Sequence, residues 1–209
     1  MSFAIFSDSS CNLPKAQLEE FQVQIISSSY EREGKLITCP PYPEDFDGHE
    51  YYNFLRNKVV VKTSLIPAAQ MEDAFRPVLA AGEDVLYITL SSGISGTVAS
   101  GLQAAQALME EFPQRQVRVL DSMGAGFGIG LLLGRASDDR KAGLNLDQTY
   151  ASLERDRDNL CEFFTVDDLM FLRRTGRLSG VTATLGTMLQ LKPLLRGDET
   201  GHITVFNKV

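Results

Sequence analysis

The sequence predicts an α/β protein: an N-terminal parallel-sheet domain followed by a second α/β domain. Three observations carry this. Short apolar, β-rich runs alternate with longer segments of helical period, as in strand–helix–strand units. Val85 to Leu90 is almost continuously apolar, as a strand covered on both faces must be. Hydroxyl- and Asp-rich loops follow several strand runs, where an open parallel sheet places its ligand-binding edge.

The elements follow in order. Phe3 to Phe6 reads as strand and runs into Ser7-Asp8-Ser9-Ser10. A helix starts at Pro14, with Leu18 and Phe21 on its apolar side, and Val23 to Ile26 is strand. Tyr30 to Ile37 turns back on itself near Gly34. After Pro40, Pro41 and Pro43 a helix is expected from about Glu44 to Arg56. Lys62-Thr63-Ser64 is expected to enter another helix, which continues over residues 68 to 81 and closes at Gly82. After the Val85 run, Val98, Leu102, Ala105, Leu108, Met109 and Phe112 recur at helical spacing. Val117 to Leu120 is strand, followed by Asp121-Ser122 and a glycine-rich helix start. The polar stretch from Ala136 to Leu146 is read as a domain boundary, giving domains 1–142 and 143–209. Beyond it come a polar helix to about Leu160, a strand Phe163 to Val166, short helices near Asp168 to Arg174 and Thr184 to Gln190, and strands Leu191 to Arg196 and Ile203 to Phe206.

Composition narrows the function. The 209 residues are 44% hydrophobic and 22% charged, which excludes disorder, collagen and a coiled coil as the main structure. Lys plus Arg is 20 against 27 for Asp plus Glu, a net charge of −7, so the average field repels nucleic acid and anionic membranes. Cys11, Cys39 and Cys161 form no CxxC pair, which argues against a zinc ribbon or dithiol site and for a reducing cytoplasmic setting. His49 and His202 are the only histidines, too few for a His-rich metal centre. No signal peptide is read, and the apolar stretches fall far short of the ~18 residues a membrane helix needs.

Ser91-Ser92-Gly93-Ile94-Ser95-Gly96-Thr97 is the sharpest element. A buried strand stops, two glycines permit a tight turn, and a helix begins at Ser95 or Gly96. A helix start offers unpaired N–H groups and a positive dipole end, so a carboxylate or phosphate is the expected ligand group, with Ser95 as an added donor. The kinase phosphate loop GxxxxGK[ST] is absent, and Thr97 stands where the GxSxG nucleophile elbow needs glycine. Gly124, Gly126, Gly128 and Gly130 are spaced GxGxGxG, which reads as a small-residue helix face rather than a dinucleotide fingerprint. Asp167 to Arg177 puts carboxylates at a helix start and arginines at its end, as the helix dipole favours, with Arg177 held on a turn and expected to face solvent.

Taken in order, Ser7-Asp8-Ser9, Lys62-Thr63-Ser64, Ser91 to Thr97, Asp121-Ser122, Asp168-Leu169 through Gly176-Arg177 and Leu191-Lys192-Pro193 resemble the DegV family of bacterial fatty-acid-binding proteins. The resemblance implies two α/β domains with one long-chain fatty acid between them. It places the carboxylate on hydroxyls matching Thr63 and Ser95, and Ser64, Ser92 and Gly96 are expected to complete the ligand site. It further implies a binding subunit without catalysis or cofactor that presents the acyl carboxylate to a separate ATP-dependent fatty acid kinase, with Arg177 as a candidate for kinase docking. Thr175-Gly176-Arg177 departs from the Gly-Gly-Arg often found in the family. Family members continue past the equivalent of Val209, so the second domain is expected to be incomplete and to favour a homodimer through its uncovered surface. A serine-dependent acyl hydrolase using Ser95 is the competing reading, for which no base is evident.

Overall fold

A computed structural model describes residues 3–178 and 193–208. The helix expected at Thr184 to Gln190, and Leu191 and Lys192, lie outside the described residues. In chain order the elements are β1 (Phe3–Asp8), α1 (Lys15–Phe21), β2 (Val23–Ile26), β3 (Ser29–Arg32), β4 (Lys35–Thr38), α2 (Gly48–Arg56), β5 (Val61–Ser64), α3 (Ala68–Ala80), β6 (Asp84–Thr89), α4 (Thr97–Glu111), β7 (Val117–Asp121), α5 (Phe127–Lys141), α6 (Leu146–Arg157), α7 (Leu169–Arg174), β8 (Pro193–Gly197) and β9 (Ile203–Lys208).

The first sheet is parallel, in the order β2-β1-β6-β7. Every residue of its two central strands, β1 and β6, is buried, which is why both read as apolar runs. Phe6 and Tyr87 meet Met71, Phe75 and Leu79 of α3 and Leu108 of α4 on one face. Ile5, Leu86 and Leu120 meet Leu18 of α1, Ile129, Leu132 and Leu133 of α5, and Leu146 and Leu153 of α6 on the other. The mixed α/β architecture is therefore the one expected. The boundary expected after Ala142 falls between α5 and α6, two helices that share this second core.

A second, antiparallel sheet has the order β4-β3-β5. Arg32 pairs with Lys35, and Glu33 and Gly34 both lie at positive φ, the backbone that a two-residue hairpin demands. Lys62-Thr63-Ser64 does not enter a helix. It is β5, paired antiparallel to β3 with Thr63 opposite Tyr30 and Ser64 opposite Ser29. Pro67 disfavours helical backbone at Ile66, and α3 begins only at Ala68. The helix expected from Glu44 is also shorter. A 3-10 turn spans Pro43–Asp45, and Asp47 then caps α2 by accepting from Glu50 N–H at 2.8 Å.

The last unit is the β8–β9 hairpin with Leu169 and Leu195 at its small core. Phe163 to Val166 is not a strand. Phe164 makes only an isolated antiparallel bridge to Leu195, and the neighbouring Glu162 carboxylate bonds to the start of α5.

Candidate ligand-binding site

The parallel sheet brings the ends of β1, β6 and β7 to one edge, and the hydroxyl clusters divide into structural and available groups there. Ser7 donates to the Ile88 carbonyl at 2.8 Å, and Ser9 and Ser28 share a 2.6 Å hydroxyl pair. Ser122 is closed on Gly124, donating to its carbonyl at 3.1 Å. The hydroxyls of these two clusters are engaged within the protein, tying loops and strand ends together along the edge.

Beneath the edge lies a buried carboxylate that the sequence reading passed over. Asp8 is 2% exposed and accepts from Tyr87 Oη at 2.9 Å, Thr89 Oγ1 at 2.5 Å, Ser10 N–H at 2.9 Å and the Ser10 hydroxyl. Burial, reinforced by the Asp8 charge, pushes the Tyr87 phenol well above its ordinary range, so it stays a donor. The sequence shows Asp8 at the end of a strand run, but its place beside Tyr87 and Thr89 comes from the pairing of β1 with β6.

The loop after β6 is the available group. Ser91 is buried, its carbonyl accepts from Ile94 and Ser95 N–H at 3.1 Å, and its hydroxyl donates to Gly201 O at 2.9 Å. Ser92 is exposed, with its N–H on Asp121 Oδ1 at 3.2 Å. Helix α4 starts at Thr97, after both expected starts, Ser95 and Gly96, with Gly96 as its N-cap and so no side-chain cap from that position. Ser95 is half-buried. Its Oγ lies 2.8 Å from Thr97 Oγ1 and 3.3 Å from Thr97 N. No His, Asp or Glu bonds to Ser95 Oγ among the described residues, and His202 Nδ1 is engaged 2.8 Å from Thr200 Oγ1.

The end of β5 reaches the same place. Leu65 Cδ2 lies 3.1 Å from where a Cβ on Gly96 would stand, so Ser64-Leu65 borders the start of α4. Strand alternation puts Thr63 on the side of Tyr30 and Ser64 on the other, and both are exposed. No hydrogen bond joins either to Ser95 among the described residues.

Arg177 differs from its expected place. It is half-buried rather than turned to solvent: Nη1 donates to Thr175 O at 2.7 Å and Nε to Ile94 O at 3.4 Å, on the loop itself. The glycines of the α5 start are a packing face, as expected. A Cβ on Gly130 would stand 2.7 Å from Leu13, and one on Gly124 or Gly128 would meet the Glu162 carboxylate. Nothing in the sequence pointed to Glu162.

An open parallel sheet with hydroxyl-rich loops and a helix start at its carboxyl edge defines the fold as α/β, with the edge where ligands bind in such sheets left uncovered by side-chain caps on α4. The comparisons then specify the family: the DegV family profile matches residues 2–209, and the chain belongs to that family. A DegV domain-containing protein of Clostridium perfringens is 31% identical over 210 residues, covering 99% of this chain and 70% of that protein. A solved DegV family protein from Thermus thermophilus, described by its fatty acid binding, is 30% identical with a TM-score of 0.86, covering 100% of this chain and 72% of that one. A stearic-acid-binding protein from Eubacterium ventriosum is 27% identical with a TM-score of 0.85, covering 99% and 70%. Among the described residues, no helix is long and apolar enough to cross a membrane.

Proposed function

We propose that this protein binds a long-chain fatty acid with the carboxylate held by Ser92, Ser95 and Gly96 and by Thr63 and Ser64 at the end of β5. The observation that carries this is the start of α4: a helix N-terminus with a glycine cap, the Ser95 hydroxyl beside it, and the end of β5 closing in at Leu65. Fatty acids in two relatives of the same fold and 27 to 30% identity support the ligand class. The head group anchors the ligand, and each buried methylene of its chain adds ~0.8 kcal/mol.

The carrier is proposed to have no catalysis of its own and to act in the cytoplasm. A separate ATP-dependent kinase supplies the chemistry: a carboxylate oxygen attacks the γ-phosphoryl group, acyl-phosphate forms and ADP leaves. Arg177 is proposed to serve kinase docking. Association of two copies through the C-terminal unit is proposed as well, supported by the exposed Phe163, Phe164 and Phe206.

Organic extraction and mass spectrometry of the purified protein test the ligand, with a fatty acid expected and a nucleotide or sugar phosphate alone excluding the reading. Thr63→Val and Ser95→Ala each remove one hydrogen bond to a charged group and are expected to weaken binding of a fluorescent fatty acid by ~1.5–3 kcal/mol. Unchanged affinity in both places the head group elsewhere. Arg177→Ala is expected to keep lipid and lose acyl-phosphate formation in a complete kinase system. Loss of lipid equal to that of Ser95→Ala makes Arg177 a brace of the loop instead.

A further inference from the structure

The Glu162 carboxylate sits on the first turn of α5. Its Oε2 accepts from Ala125 N–H and its Oε1 from Gly128 N–H, both at 3.0 Å. The site is cut to fit a carboxylate: a Cβ on Gly124 would lie 2.2 Å from Oε2, and one on Gly128 2.3 Å from Cδ and Oε2. The negative charge meets the positive end of a 15-residue helix. Two residues on, Phe164 and Leu195 exchange both backbone hydrogen bonds, at 3.0 and 2.8 Å, so Glu162 is coupled directly to β8. The other end of the hairpin rests on the head-group loop. Ser91 Oγ donates to Gly201 O at 2.9 Å, and a Cβ on Gly93 would fall 2.5 Å from the Gly201 carbonyl carbon.

We propose that Glu162 is a positioning residue for the Ser91–Thr97 loop: its carboxylate latches residues 162 to 164, and through them the β8–β9 hairpin, to the start of α5, so that Gly201 is seated behind Ser91 and Gly93. The hairpin is thereby held at two points on the sheet edge. One is this carboxylate and the other is the loop it supports. The consequence for ligand rests on the fatty acid reading above. The latch itself does not.

Substitutions at two positions of the full chain, Gly128 and Glu162, test it without lipid. Gly128→Ala replaces a glycine in the first turn of α5 and on propensity alone raises Tm slightly. Here it is expected to lower Tm in the wild type, because the new Cβ takes the place of the Glu162 carboxylate, and to raise Tm in a Glu162→Ala background. The same sign in both backgrounds overturns the latch. Hydrogen exchange at the Phe164 and Leu195 amides and over residues 91 to 97 is expected to accelerate about tenfold or more in Glu162→Ala. Glu162→Gln, with one acceptor oxygen, is expected to fall between. Unchanged exchange also overturns it.

The positioning role is then read with cis-parinaric acid, which is expected to dissociate faster from Glu162→Ala. Unchanged dissociation, in a series where Ser95→Ala does weaken binding, overturns the positioning role. If Ser95→Ala and Glu162→Ala both leave the probe unaffected while the exchange and Tm effects persist, the latch stands and the fatty acid site lies elsewhere.

Discussion

The Ser91 hydroxyl donates to the Gly201 carbonyl at 2.9 Å, joining residues 110 positions apart inside a buried contact. Ser91 opens the loop that leads to Ser95, and Gly201 is in the turn of the C-terminal hairpin, so one hydrogen bond ties the Ser91–Thr97 loop to that hairpin. Behind it, Gly93 stands where any side chain would run into the backbone of Gly201 and His202.

Gly93→Ala is accordingly expected to be more damaging than its single methyl suggests. Its Cβ would lie 2.5 to 2.6 Å from backbone atoms, which cannot swing aside as a side chain can. The hairpin must lift, and the Ser91 hydroxyl then loses Gly201. Urea unfolding is expected to show a loss of ~1–3 kcal/mol, the cost of an unmade buried hydrogen bond, with the overpacking added. A midpoint equal to wild type removes the close seating.

Asp8→Asn tests the buried carboxylate under the site. An amide carries one acceptor oxygen and turns an NH2 group towards hydroxyl donors. Tyr87 Oη and Thr89 Oγ1 share Oδ2, and Ser10 N–H and its hydroxyl share Oδ1, so whichever oxygen the NH2 group replaces, one of these pairs of donors loses its acceptor. Hydrogen bonds to a charged acceptor contribute ~1.5–3 kcal/mol each, so a loss of at least about 2 kcal/mol is expected in chemical denaturation. A loss below ~0.5 kcal/mol, the scatter of surface changes, speaks against the network.

Tyr87 gives the protein an alkaline limit. Its folded-state pKa is raised, first by burial and then by the Asp8 charge, so the native state holds its proton where the unfolded chain releases it. With more protons bound in the native state, stability is unaffected below the ordinary tyrosine pKa of about 10 and falls as pH rises beyond it. Tyr87→Phe is expected to flatten that fall. Tyrosinate absorbance of the native protein is expected to lack the Tyr87 contribution until unfolding. An identical alkaline slope in Tyr87→Phe removes Tyr87 as its source.

What the sequence by itself determined was everything that depends on neighbours along the chain. Val85 to Leu90 declared a strand covered on both faces because an almost unbroken apolar run leaves no face for solvent. Pro14, Gly34 and the Ser91–Thr97 segment marked a helix start, a hairpin turn and a strand-to-helix loop, since proline and glycine restrict or free the backbone locally. The ordered set of short motifs carried the family. Only the tertiary structure decided the pairings. Thr63 and Ser64 are strand rather than helix because β3 offered them hydrogen-bond partners at Tyr30 and Ser29 that no local preference encodes. Asp8 became the acceptor for Tyr87 and Thr89, 79 and 81 positions away, because parallel pairing sets β1 beside β6. Glu162, which nothing in the sequence marked, and Arg177, expected at a solvent-facing turn, reach a helix start and the Ile94 carbonyl only in the folded chain. Those placements depend on long-range packing, which periodicity and spacing along one chain do not contain.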